Sequence, residues 1–212
     1  MRIAGGTAPS TTAERLSVVV LVSAFASLSL LLPVATSRRS QLDALVAARV
    51  IPDVIDAFSP AAEVSARYGR RDVVDGCDIK PSESASRPAV WIRGRGCSGD
   101  NLYTLIMTDP DAPSPSNPSE REWLHWIVVD IPGECNAAKG KELVPYMGPE
   151  PPIGIHRYVF VVFKQNKTLG EVRPPLGRGH FKTRGFAAQN GLGLPVAALY
   201  FNATKEPAIR IY

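Results

Sequence analysis

The stretch LYTLIMTDPDAPSPSNPSEREWLHWIVVDI, residues 102–131, decides how this chain is read. Two apolar runs, Leu102–Met107 and Leu124–Ile131, flank a segment dense in proline, serine and acidic residues. Short apolar runs bounded by Pro, Asn, Asp and Ser read as strands joined by an irregular loop. Asp109 precedes Pro110, which biases it to an extended conformation. In an extended segment residues two apart project to one side, so Asp109 and Asp111 are expected to converge. Pro113, Pro115 and Pro118 keep the loop out of regular ladders. By period-two alternation His125 should share a face with Ile127, Val129 and Ile131.

The same texture extends outward from this stretch. Further strands are expected at Ala61–Tyr68, Ala89–Ile92, Tyr158–Phe163 and Val196–Phe201. Leu45–Phe58 has mixed periodicity interrupted by Pro52 and fits a short helix or turn as well as a strand. Lys182–Gly191 reads as a helix with Thr183 as its N-cap. In GIHRYVFVVF, residues 154–163, His156 and Tyr158 fall on one face and Arg157 on the other. With 45% hydrophobic residues in 212, plus 19 Pro and 17 Gly, a single β-rich domain with a substantial core is expected.

Charge narrows the function. Of the formal +4, a net +3 lies in residues 1–40, so the rest of the chain is nearly neutral. No direct nucleic-acid binding is expected from such a balance. Residues 164–184 are a local exception: Lys164, Lys167, Arg173, Arg178, Lys182 and Arg184 stand against Glu171 alone. This is either a solvated basic loop or a surface for an acidic partner. Cys77, Cys97 and Cys135 form an odd set without metal spacing, which favours a reducing compartment.

Residues 1–40 read separately from the domain at 41–212. Leu16–Ala35 is an almost unbroken apolar run of bilayer-spanning length, preceded by Arg15 and followed by SRRS. It reads as a signal peptide, a signal anchor, or a segment joined to the domain by a faulty gene model. Two sequons, at Asn166 and Asn202, are available to an exported chain.

The chemistry-bearing residues are few. His-x-His and His-x-x-x-His metal spacings are absent, as is a nucleophile elbow. No catalytic residue, metal or cofactor is therefore expected, and a phosphohydrolase built on Asp109 or Asp111 is the weakest reading. A binding pocket makes better sense of the set. Charged His125 and His156 and the Tyr158 hydroxyl would donate to an anion, while the two aspartates raise the histidine pKa values and at least one of them is spent internally. Anion affinity should then strengthen below the ordinary histidine pKa of about 6.5.

TDPDAPSPSNPSEREWLHWIVVDIPG, GIHRYVFVVFKQ, DGCDIKPS and GLGLPVAALYFNATKEP, taken in order over residues 41–209, resemble the plant branch of the phosphatidylethanolamine-binding protein family. The resemblance implies a mostly β fold: a large antiparallel Greek-key sheet, a smaller sheet and a few peripheral helices. It also implies a pocket for phosphate or a phospholipid headgroup lined by Asp109, Asp111, His125, His156 and Tyr158. Two residues before the motif histidine, florigen-like members carry Tyr and terminal-flower-like repressors carry His. Trp123 at that position, with GCDIKPS and GPEPPIGIHRY, resembles instead the MOTHER OF FT AND TFL1 group, associated with seed germination, hormone signalling and flowering time. Plant members act without catalysis, in cytoplasm and nucleus, bridging 14-3-3 proteins to bZIP transcription factors. Asp100 and Thr168 replace the basic residues that florigens present to 14-3-3 proteins, which implies weaker 14-3-3 binding. Lys164, Lys167, Arg173 and Arg178 are the candidate partner surface. Were Leu16–Ala35 retained, a secretory or membrane-anchored protein acting on headgroups would be the alternative.

Overall fold

A computed structural model describes residues 1, 5, 41–94 and 101–207. The apolar run Leu16–Ala35, together with Cys97 and Asp100, lies outside the described residues. All six expected strands form, as β1 (Ala62–Tyr68), β4 (Ala89–Gly94), β5 (Leu102–Asp109), β6 (Trp123–Pro132), β8 (Ile155–Gln165) and β9 (Ala197–Thr204). Three shorter ones are added: β2 (Arg71–Asp72), β3 (Cys77–Asp78) and β7 (Lys141–Val144).

The strands make two sheets. The small one runs β2-β1-β4 and is wholly antiparallel. The large one runs β3-β9-β8-β5-β6-β7. Within it, β5, β6 and β7 are successive antiparallel neighbours, and β8 returns to pair with β5. That order is the Greek key. The expectation of a purely antiparallel sheet needs one correction, because β3 pairs parallel with β9 (Cys77 opposite Phe201) and the large sheet is mixed. The turn that delivers β3 explains this pairing: the Tyr200 amide donates to Asp75 Oδ1 at 3.0 Å, and the Gly76 amide donates to the Tyr200 carbonyl at 3.2 Å. Gly76 sits at φ +76°, where a Cβ would also meet the Tyr200 hydroxyl, so glycine suits the turn on both counts.

The large sheet is buried on both faces, which is why β5 and β8 are nearly continuous apolar runs. One face packs on the small sheet, bringing Ala66, Val90 and Ile92 against Leu105, Met107, Trp126, Tyr158, Phe160 and Phe201. The other face carries Ile106, Ile127, Val129, Val159, Val161 and Phe163. It is covered by Leu45, Val50, Val54, Ile55 and Phe58 from the first described segment and by Phe186, Ala187 and Leu192 near the C-terminal helix. Residues 42–47 are helical, and the helix Val50–Asp53 has a non-helical Ile51 inside it just before Pro52, which decides a segment that the sequence left open between helix, turn and strand.

The C-terminal helix runs Thr183–Gln189, with Lys182 rather than Thr183 at the N-cap and no side-chain cap from it. The cap comes from another element. Glu122, at the entry to β6, accepts from the Thr183 amide at 3.2 Å and the Thr183 hydroxyl at 2.5 Å. A tertiary contact thus replaces the local signal of a capping serine or threonine.

Candidate functional site: a two-histidine cavity at the end of the large sheet

Where β5 leaves the sheet, the chain turns instead of staying extended. Asp109 Oδ1 accepts the Asp111 amide at 2.7 Å, the local bond by which aspartate stabilises turns. The two carboxylates therefore diverge, and the expected convergence is not found. Asp109 Oδ2 meets His156 Nδ1 at 2.7 Å. Asp111 turns to Arg157, which grips it through Nη2 at 2.6 Å, Nε at 2.8 Å and the backbone amide at 2.9 Å. Arg157 also donates through Nη1 to the Ala48 carbonyl at 2.7 Å and Asp53 Oδ2 at 3.1 Å. One arginine thus ties the Asp111 turn to the first described segment. Burial acts to lower the Arg157 pKa, but its bonds to Asp111 and Asp53 more than offset this and leave it raised.

His125 also departs from simple alternation. Thr108 pairs with Leu124 while the preceding residue of β5, Met107, pairs with Trp126, so His125 is the extra residue of a β-bulge. Bulges re-aim side chains. Ile127 and Val129 face the helical layer, whereas the His125 ring lies edge-on to Tyr158, with centroids 5.1 Å apart. The inserted residue corrects the face expected to be shared with Ile127 and Val129, while Ile131, beyond a second register shift opposite Tyr103 and Leu105, packs in the same cluster as Tyr158.

These displacements assemble a cavity of about 200 Å³ lined by Asp109, Ala112, Pro113, Glu120, Trp123, His125, Met147, Glu150, Pro152, His156 and Tyr158. Of the five expected pocket residues, Asp109, His125, His156 and Tyr158 line it; Asp111 stands behind it, bound to Arg157. Trp123, read from sequence only as a marker of the family branch, is part of the wall. Glu120, Met147 and Glu150 were missed, and no local pattern marks them.

The histidines are in opposite states. His125 Nδ1 lies 2.8 Å from the Met147 carbonyl, which can only accept, so Nδ1 carries the proton. Burial pushes the His125 pKa down, leaving the ring neutral with a bare Nε2. His156 has acceptors at both nitrogens: Asp109 at Nδ1 and the Ile153 carbonyl, 3.0 Å away, at Nε2. Burial works against its charge, but the Asp109 bond and charge, aided by the Ile153 carbonyl and Asp111, raise its pKa overall. It is an imidazolium with both N–H groups spent. The expectation that both histidines offer charged donors to an anion is corrected accordingly: one is neutral and the other is already engaged. Tyr158 is buried, its pKa pushed well up, first by that burial and then by Asp109 and Asp111.

The candidate partner residues separate too. Lys164, Lys167, Thr168 and Arg173 are exposed. Arg178 is tied to three backbone carbonyls, of Leu124, His125 and Pro145, at 2.8–3.0 Å. It braces the bulge from outside. Among the described residues no group of three or more His, Cys, Asp or Glu side chains could hold a metal ion, and no helix is long and apolar enough to cross a membrane.

A Greek-key sheet backed by a small sheet, with a histidine–aspartate cavity at its end, defines a class of binding domain. The family model "Phosphatidylethanolamine-binding protein" matches residues 55–201, and the chain belongs to that family. It is 53% identical over 171 residues to the Protein MOTHER of FT and TFL1 homolog 2 of Oryza sativa subsp. japonica, covering 80% of this chain and 97% of the relative. To the Protein TERMINAL FLOWER 1 of Arabidopsis thaliana it is 46% identical over 172 residues, covering 80% and 94%. Among solved structures, a carboxypeptidase Y inhibitor complexed with its cognate proteinase superposes with a TM-score of 0.68 at 27% identity, covering 79% of this chain and 96% of that one.

Proposed function

We propose that this chain is a non-enzymatic regulator of plant development, concerned with seed germination, hormone signalling and flowering time. It acts as a transcriptional co-regulator scaffold in cytoplasm and nucleus. The observation that carries this reading is the 53% identity to the rice MOTHER of FT and TFL1 homolog along nearly the whole of that relative. In this reading a bZIP transcription factor is the main partner. A 14-3-3 protein binds more weakly, because Thr168 leaves its exposed position uncharged and Asp100 reverses the charge at the other. Exposed Lys164, Lys167 and Arg173 supply the positive charge that an acidic partner segment meets. The cavity takes a small acidic ligand, such as phosphate or a headgroup, that completes or tunes this surface.

Pull-down of purified chain with a plant bZIP factor and a 14-3-3 protein, with and without a phosphopeptide, tests the proposal. Retention of the bZIP factor is expected. Failure of both partners to bind in either condition would overturn it. A second reading, a membrane-associated headgroup binder, is favoured by the apolar run Leu16–Ala35. Flotation of the full chain with phosphatidylethanolamine vesicles, against the chain lacking residues 1–40, separates the two.

A further inference from the structure

The outer face of the small sheet carries a recess that shares no lining residue with the two-histidine cavity. It encloses about 300 Å³ and is lined by Ser65, Ala66, Arg67, Asp72, Trp91 and Arg93. Strand alternation makes it. Ala62, Ala66, Val90 and Ile92 pack inward against the large sheet, so Ser65, Arg67, Trp91 and Arg93, at the alternate positions, are exposed on the other face. Register sets their spacing: Trp91 stands opposite Ser65, Arg93 opposite Glu63, and Arg67 opposite both Ala89 and Asp72. A small serine facing a large indole leaves a notch with Trp91 as its wall and an arginine in the row on either side. Trp91 is 38% exposed. Buried Trp126 donates its indole N–H to Glu142 at 2.7 Å, whereas that of Trp91 has no partner among the described residues.

The polar groups left open in this notch are donors. Asp72, the one acid in the lining, accepts from Arg67 Nε at 2.5 Å, and that bond leaves the Arg67 Nη groups open. Arg93 makes no ion pair among the described residues, and Glu63 across the strand pair stands outside the lining. One guanidinium is thus unneutralised beside an exposed indole. A guanidinium fork matches a carboxylate through two parallel hydrogen bonds, and an indole face takes a flat ring. We infer that the notch binds a small planar carboxylic acid, its ring stacked on Trp91 and its carboxylate held by Arg93. The volume lies at the lower end of ligand pockets, which suits one ring or two fused rings. A nucleotide would stack as well, but a phosphate monoester carries close to two charges at neutral pH and meets only one unpaired arginine. This site stands apart from the pocket and the partner surface proposed above and needs neither.

NMR titration of the full chain at neutral pH tests this, with the indole N–H signals of its three tryptophans as reporters and the Trp91 signal identified by its loss in Trp91→Leu. The probes are benzoate, benzyl alcohol, cyclohexanecarboxylate and adenosine monophosphate. Benzoate should shift the Trp91 signal saturably and leave that of Trp123, in the two-histidine cavity, in place. It should bind about tenfold tighter than benzyl alcohol, the effect of one charge-assisted hydrogen-bonded pair, and about fivefold tighter than cyclohexanecarboxylate, the effect of ring stacking. Arg93→Gln should bring benzoate down to the level of the alcohol. Benzyl alcohol or cyclohexanecarboxylate binding as tightly as benzoate would overturn the inference, since it would remove the role of the charge or of the ring. Adenosine monophosphate binding more tightly than benzoate would overturn it in favour of a nucleotide site. A shift confined to Trp123 would overturn it by placing the acid in the two-histidine cavity, and so would the absence of any saturable shift. If Arg93→Gln fails to fold, the probe series on the native chain decides alone.

Discussion

At His156 two acceptors meet one ring, and that arrangement fixes much of the site's energetics. Replacing Asp109 by Asn leaves a hydrogen-bond acceptor but removes the charge opposite a buried imidazolium. A cost of about 2 kcal/mol in urea unfolding near pH 6 is expected, together with a fall in the His156 titration midpoint. Asp111→Ala should cost more, about 3 kcal/mol, because it takes from the Arg157 guanidinium the carboxylate that holds it at 2.6 and 2.8 Å and leaves it only Asp53 and the Ala48 carbonyl. The pH signs of the two histidines are opposite. His156, with its pKa raised, contributes stability that is complete below about pH 6.5 and is lost as pH rises through the folded value. His125, with its pKa lowered, contributes stability present above about pH 6.5 and lost as pH falls through its folded value. Sequence identified both histidines and the charge that Asp109 holds on His156, but not the neutral state of His125, because its deciding partner is the backbone carbonyl of Met147, which no side-chain pattern encodes.

At the scale of elements, the C-terminal helix depends on a strand for its cap. Thr183→Val keeps the shape of a fully buried residue and removes its hydroxyl donor to Glu122. About 2 kcal/mol of stability should be lost in denaturant melts. Burial raises the Glu122 pKa above its ordinary 4.5, against the lowering effect of its Thr183 and Thr108 bonds. The contribution of its protonated form is complete below about pH 4.5 and declines as pH rises through the folded value. Glu122→Gln lacks that titration, so its stability relative to the native chain should improve from pH 4.5 to 7. Apolar runs and turn residues were enough to place the six long strands. They could not reveal β2, β3 and β7, of two to four residues, whose existence rests on distant pairing partners. Nor could alternation foresee the bulge at His125, since an inserted residue is defined only by the strand opposite.

For the whole molecule, the buried two-faced sheet means that the first described segment is part of the core. Leu45 is fully buried, although it precedes the residues 55–201 that match the family model. Leu45→Ala should cost about 3 kcal/mol, measured by urea unfolding, and Arg157 carries that segment's position to the Asp111 turn. The chemistry of the cavity rests on one central claim, that the two histidines hold opposite protonation states. Long-range proton–nitrogen NMR of the histidine rings, followed from pH 5.5 to 8, tests it most directly. The account predicts a His125 that stays neutral as the Nδ1–H tautomer at neutral pH and a His156 that remains doubly protonated above about pH 6.5. A His125 found as imidazolium at neutral pH, or as the Nε2–H tautomer, would contradict it.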